Sequence, residues 1–137
     1  MKSDDTPPRA ADGDRGQASS VAGAQPTRPR ISISEFGALE LRVGTIRSAE
    51  PHPNADRLLV LRVDLGSEER QVVAGIRAHY DPSTLVGRQV VVVANLEPAR
   101  LRGVESQGMV LAATDSERNR VVLLRPDDAV PPGAVVR

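Results

Sequence analysis

Apolar and polar residues alternate with period two along two stretches of the chain. Leu39, Leu41, Val43 and Thr45 interleave with Glu40, Arg42, Gly44 and Ile46. Leu59, Leu61, Val63 and Leu65 share a second face, opposite Arg62 and Asp64. That period places successive side chains on opposite sides of a strand. Residues 39–46 and 58–65 are therefore expected to be strands. Gly44 suggests a bulge or sharp coiling within the first. Pro51 and Pro53 end it in a stiff loop. Gly66-Ser67-Glu68-Glu69 reads as a hairpin connection, and residues 71–74 pair back as a third strand. Gly75 closes that strand. Residues 76–85 read as a short helix or turn, with Asp81-Pro82 as its cap-then-Pro start. The run of residues 89–94, Gln-Val-Val-Val-Val-Ala, has no polar alternation and is short enough for a fully buried strand. Further strands are expected at 108–113 and 121–124, around a polar turn at 115–120. Pro126, Pro131, Pro132 and Gly133 then punctuate an extension ending in Val135-Val136.

Before the first strand, Ser34-Glu35-Phe36-Gly37 reads as a short turn capped by Ser34. Residues 1–30 are rich in Pro, Gly, Ser, Asp and Ala, with Val21 the one large apolar side chain after Met1. They bury too little to offset chain entropy, so a disordered tail is expected there and one ordered domain at 31–137. Three strands, a short helix and two more strands with an extension fit an all-β class. The specific expectation is a five-stranded Greek-key barrel of the OB type, with an N-terminal lead-in and a C-terminal extension.

Composition narrows the function. Of 137 residues, 39% are apolar, but the only aromatics are Phe36 and Tyr80. A stacking platform for single-stranded nucleic acid is therefore thin. No cysteine is present, which excludes disulfides and thiolate chemistry. No apolar run approaches the roughly 18–20 residues of a membrane span, and no apolar core follows Lys2 as in a secretory signal. A cytoplasmic location is the expectation. The 18 basic and 18 acidic residues cancel, which excludes a long-range cationic field. Any grip on an anionic partner must be local. All the basic residues except Lys2 are arginines, whose planar forks fit phosphate and base edges.

Residues 95–109, Asn-Leu-Glu-Pro-Ala-Arg-Leu-Arg-Gly-Val-Glu-Ser-Gln-Gly-Met, join the two apolar runs around them. A polar, arginine-bearing connection held by two strands is where a binding site belongs. Arg42, Arg57, Arg77, Arg100 and Arg102 lie in or beside strand ends and connections. Met109 offers a soft apolar surface, or fills core space. Catalysis finds little support. His52 and Asp56 share a loop with Pro53, Asn54 and Ala55, but metal binding needs more ligands than the remaining His79 supplies. Ser106 lacks the glycine-flanked elbow of a nucleophile, and residues 103–108 lack phosphate-loop spacing and its lysine. Asn54 and Asp56 read more simply as turn-formers. No enzyme activity, metal or cofactor is expected. Residue types alone leave nucleic-acid binding and protein interaction nearly even.

Five segments carry a resemblance. They are Leu41-Arg42-Val43-Gly44-Thr45-Ile46; His52-Pro53-Asn54-Ala55-Asp56-Arg57-Leu58; Val73-Ala74-Gly75-Ile76; Val93-Ala94-Asn95-Leu96; and Leu101-Arg102-Gly103-Val104-Glu105-Ser106-Gln107-Gly108-Met109. In this order and spacing, residues 31–137 resemble the tRNA-binding domain of three kinds of protein. These are the C-terminal extension of bacterial methionyl-tRNA synthetase, the free-standing structure-specific tRNA-binding protein, and the endothelial monocyte-activating polypeptide with its yeast cofactor relative. The resemblance implies an OB fold that recognises tRNA shape without catalysis, as a tRNA chaperone or a synthetase-associated cofactor. It implies a homodimer joined through the lead-in at 31–39 and the extension at 121–136, since no further segment follows to stand in for a second subunit. By position, it implies RNA contact by Arg42, Asn54, Arg57, Arg77, Asn95, Arg100, Arg102, Ser106, Gln107 and Met109. The alternatives are a protein-binding chaperone subunit, similar to the CsaA-type export chaperones, and a detached appendage of methionyl-tRNA synthetase.

Overall fold

Strand β2 (Leu59–Asp64) alternates as its sequence requires: Leu59, Leu61 and Val63 are buried, and Arg62 is exposed. The computed structural model that shows this describes residues 27–137. The expected disordered tail at 1–30 falls largely outside the described residues. Two compact units divide the rest. One contains the lead-in up to Ala38 and Asp115–Asn119; the other contains Leu39–Thr114 and Arg120–Arg137.

In the lead-in, helix α1 (Ile33–Phe36) is a single turn. Its cap is Ser32, not Ser34. The Ser32 Oγ accepts from the Glu35 N–H at 3.0 Å, and the Glu35 carboxylate accepts from the Ser32 N–H at 2.8 Å. This reciprocal box satisfies two amide donors that a helix start leaves open. Ser34 has no comparable partner at the right spacing.

The larger unit is built around strand β1 (Leu41–Pro51). Its first half pairs antiparallel with β4 (Gln89–Val93), from Leu41 opposite Val93 to Thr45 opposite Gln89. Its second half pairs with β2, from Thr45 opposite Asp64 to Pro51 opposite Leu59. β1 is thus shared between β4 and β2. The register slips between Ile46 and Ser48, which leaves Arg47 as the bulged residue. The irregularity thus falls three residues beyond Gly44. Gly44 serves another purpose: an added Cβ there would lie 2.3 Å from Val63 Cγ1.

Strand β3 (Glu69–Ala74) pairs along all of β2. A 3₁₀ turn at Pro82–Thr84 follows, capped by Asp81 as expected. The Ser83 N–H and hydroxyl both donate to the Asp81 carboxylate and hold its pKa below the usual carboxylate range. After β4 come a hairpin of β5 (Ala99–Leu101) and β6 (Val104–Ser106), then β7 (Met109–Val110), β8 (Ala112–Asp115), β9 (Arg120–Leu123) and β10 (Val135–Val136). The sheet order is β3-β2-β1-β4-β7, with β10 beside β1. The expected strand at 108–113 is therefore split at Leu111, whose N–H still donates to Val91 O while its carbonyl accepts from Leu124 N–H.

One backbone hydrogen bond and several side-chain bonds close the barrel between β3 and residues 105–108. The Gln107 N–H donates to Gln71 O at 2.8 Å, and Gln107 Oε1 accepts from the Gln71 N–H at 3.0 Å. The Gln71 amide donates to Glu105 O at 2.8 Å. Ser106 Oγ accepts from the Val73 N–H at 2.9 Å and donates to Gly108 O at 2.9 Å. Inside lie Ile46, Leu59, Leu61, Val63, Leu65, Val72, Ile76, Leu85, Val90 and Val92. The result is an OB-type barrel, nearly all β, with one short helix. Among the described residues no helix is long and apolar enough to cross a membrane.

Ser106 is only 5% exposed, so removing its hydroxyl has a calculable cost. Ser106→Ala leaves the Val73 N–H buried without an acceptor, a penalty of about 1–3 kcal/mol. Urea unfolding should show that penalty as a lower midpoint with an unchanged slope.

Candidate nucleic-acid interface

The ten expected contact residues separate into two groups. Four are engaged in holding the barrel. Arg42 pairs with Glu40 at 2.5 Å and donates to Gly133 O at 2.8 Å, so it pins the C-terminal extension beside β1. Asn95 Oδ1 accepts from the Glu40 N–H at 2.8 Å, at the entry to that strand. Ser106 and Gln107 form the closing seam described above. Of the four, Ser106 is buried, Arg42 and Gln107 are half-buried and Asn95 is exposed.

The other six are exposed on two adjoining elements and their neighbours. The loop of residues 52–58 carries Asn54 and Arg57. It is closed by the His52 N–H donating to Leu58 O at 3.0 Å. The β5–β6 hairpin carries Arg100 and Arg102. Asn54, Ala55, Asp56, Arg57, Leu58 and Arg102 together line one open cleft of about 440 Å³. Arg77 does not line this cleft; its backbone N–H donates to Arg57 O at 3.3 Å. Arg100 donates to Gly103 O at 2.8 Å and braces the hairpin turn. Met109, on β7, is 47% exposed. It presents surface rather than filling the core.

Arg102 has an uncommon backbone. The two residues joining β5 to β6 are Arg102, at φ 54°, and Gly103, at φ 91°. Two positive φ values in a two-residue hairpin loop define the type I′ geometry, where Asn-Gly is the favoured pair. Glycine meets this at little cost. For arginine, the left-handed conformation costs roughly 1–2 kcal/mol. Strain of this kind gathers at functional positions.

Ion pairing divides the arginines. Arg42, Arg47, Arg62, Arg70 and Arg118 each lie within 4.0 Å of a carboxylate, on Glu40, Asp64, Glu69, Glu68 and Asp115 respectively. The Arg70 hydrogen bond and charge hold the Glu68 carboxyl below its ordinary range. Among the described residues, Arg57, Arg77 and Arg102 have no such partner. Of these three, Arg57 and Arg102 line the cleft, together with the carboxylate of Asp56. Among the described residues, no three side chains gather as metal ligands.

Residues 41–135 match the family described as "Putative tRNA binding domain". The chain belongs to this tRNA-binding domain family. The methionine–tRNA ligase of Thermococcus kodakarensis is 58% identical over 107 residues, which are 78% of this chain and 14% of that protein. The ligase of Methanosphaerula palustris is 55% identical over 113 residues, 82% of this chain and 16% of that one. This tRNA-binding domain chain thus spans about one seventh of the length of the ligases it matches. Among solved structures, a methionyl-tRNA-synthetase-related protein from Pyrococcus horikoshii superposes with a TM-score of 0.74 at 37% identity, covering 80% of this chain and 99% of that one. The chaperone CsaA of Bacillus anthracis gives 0.73 at 33% identity, covering 80% and 100%.

Sequence reasoning quoted Ala55, Asp56 and Leu58 within the 52–58 segment, and read Asp56 as a turn-former, but did not assign any of the three to the contact surface; all three line the cleft. It also missed the hairpin within residues 95–109. Its turn has arginine where a turn signal would have asparagine.

Proposed function

We propose that the chain is a non-catalytic tRNA-binding module that recognises folded tRNA through the cleft between the 52–58 loop and the β5–β6 hairpin. The carrying observation is that Arg57 and Arg102, neither paired with a carboxylate, line one cleft on the surface of a barrel of this family. Arginine forks bind phosphates, and most nucleic-acid contacts go to the sugar–phosphate backbone. With few aromatics, the site reads shape and backbone rather than stacked single-stranded bases. Asn54, Arg57, Arg77, Arg100, Arg102 and Met109 form the proposed contact surface. Arg42, Asn95, Ser106 and Gln107 support it from the frame. The module serves as a tRNA chaperone or as a synthetase-associated cofactor, and a cytoplasmic site of action goes with that role. Filter binding with folded tRNA and with unstructured RNA of equal length tests it.

The Arg102 backbone supplies a sharper test. Arg102→Asn places the favoured residue in the type I′ turn. The variant should be more stable by about 0.5–1 kcal/mol. It should also bind tRNA more weakly, with a salt slope smaller by the share of about one phosphate. Lower stability with unchanged binding would remove Arg102 from the site.

We also propose a homodimer. The lead-in exposes Ile33 at 84%, and the extension exposes Val135 at 53%. Sedimentation at micromolar concentration should give twice the monomer mass; a monomer mass refutes it. A chaperone function of the CsaA kind is the second reading, favoured by the structural likeness to that protein. Protein partners from a cell extract that persist after nuclease treatment support this second reading over the first.

A further inference from the structure

His52 is 3% exposed, although it belongs to a surface loop. Its two ring nitrogens face different elements. Nδ1 accepts from the Asn54 N–H at 2.9 Å, within the loop. Nε2 lies 2.8 Å from Leu101 O, so it carries the ring proton and donates to that carbonyl. This second bond crosses 49 residues of sequence, to the strand that leads into Arg102. Among the described residues it is the hydrogen bond that joins residues 52–58 to the β5–β6 hairpin. Arg57 rides on one side of it and Arg102 on the other, and both line the same cleft. On the hairpin, β6 is held to β3 through Glu105 and Ser106, whereas all three β5 residues are exposed.

We propose that His52 is the positioning residue of this site: its imidazole ties the loop bearing Arg57 to the turn bearing Arg102, so that both guanidinium groups meet one stretch of RNA backbone. The proposal rests on the RNA-binding reading of the cleft. It needs both nitrogens of one ring. A neutral imidazole can donate at one end and accept at the other, and buried polar groups without partners are costly. Fixing two charges before RNA arrives lowers the ordering cost of binding.

Two substitutions separate the bonds. The carboxamide of His52→Asn can still accept from the Asn54 N–H but is too short to reach Leu101 O. His52→Gln carries its amide nitrogen to about the position of Nε2 and keeps the cross-link. The chain has no cysteine, so Ala55→Cys with Ala99→Cys gives a clean pair for spin labels across the cleft. The parent and His52→Gln should each give one narrow distance distribution, and His52→Asn a broad one. The tRNA affinity of His52→Asn should fall roughly tenfold, and His52→Gln should restore most of it. Nitrogen-15 spectra of the unsubstituted protein should show the Nε2 proton protected from exchange, a readout that stands even if His52→Asn fails to fold. A narrow distribution with unchanged affinity in His52→Asn overturns the proposal. So does an unprotected Nε2 proton, or a His52→Gln variant as weak as His52→Asn while melting like the parent. If the parent binds no tRNA, the functional reading falls, while the label distances still decide whether His52 ties the two elements.

Discussion

Replacing Arg57 and Arg102 together with alanine is expected to weaken binding of folded tRNA about a hundredfold at moderate salt, roughly tenfold for each arginine–phosphate pair removed. The reason lies in which cations the domain leaves unpaired. Residues 31–137 hold thirteen basic and fourteen acidic side chains, so no general field draws RNA in. Affinity must come from guanidinium groups that no carboxylate neutralises, and two of these, Arg57 and Arg102, line the same cleft. The salt dependence separates this account from a diffuse electrostatic one. Each phosphate neutralised contributes about 0.7–0.9 to the slope of log affinity against log salt, so the slope of the double variant should be shallower by about 1.4–1.8. Arg62→Ala is the control. Arg62 is paired with Glu69 on the β2–β3 surface, at 3.9 Å, and its removal should change neither affinity nor slope. Both cleft arginines are exposed, so the double variant should melt close to the parent.

The largest stability effect is expected at Gly44. A Cβ there would lie 2.3 Å from Val63 Cγ1 and 3.0 Å from Leu65 Cδ2. Val63 is fully buried in the middle of the core, with little room to retreat. Gly44→Ala should therefore cost about 2–3 kcal/mol as overpacking, a fall in melting temperature on the order of 10–15 °C for a domain of this size. Adding Val63→Ala removes the atom that collides. The double variant should be more stable than the sum of the two single effects predicts, by at least about 1 kcal/mol. Simple additivity would mean that the close approach of β1 to β2 is not what requires glycine at 44.

The legible parts of the fold are those set by burial. Leu59, Leu61, Val63 and Leu65 alternate because one face of β2 meets the core, and all four are buried. The Asp81-Pro82 start of the 3₁₀ turn is equally plain, since an aspartate cap and a fixed proline φ act locally. Parts that depend on partners far along the chain are not legible. Gly44 stands out as special, but its reason is Val63, nineteen positions on by residue number. The Ser32–Glu35 box is readable in principle, as Ser-x-x-Glu, yet Ser34 beside it has the same cap-forming chemistry.

The candidate site divides the same way. Arg57 and Arg102 stand out as charged residues in connections, and both reach the cleft. Ser106 and Gln107 have the same hydrogen-bonding chemistry that RNA recognition needs, but their partners are Val73, Gly108 and Gln71 across the seam. Nothing local tells a serine that faces a ligand from one that closes a barrel. His52 is hidden for the same reason, since Leu101 lies in another element. Its loop reads as turn-formers, which it is, and as the place of a lone histidine.

The central claim is that this barrel recognises folded tRNA through one cleft. The most direct measurement is competitive filter binding of the intact chain to folded tRNA and to unstructured RNA of equal length, at fixed salt. A clear preference for folded tRNA, abolished when Arg57 and Arg102 become alanine, is the predicted result. Equal affinity for the two RNAs, or a preference that survives the double substitution, contradicts it.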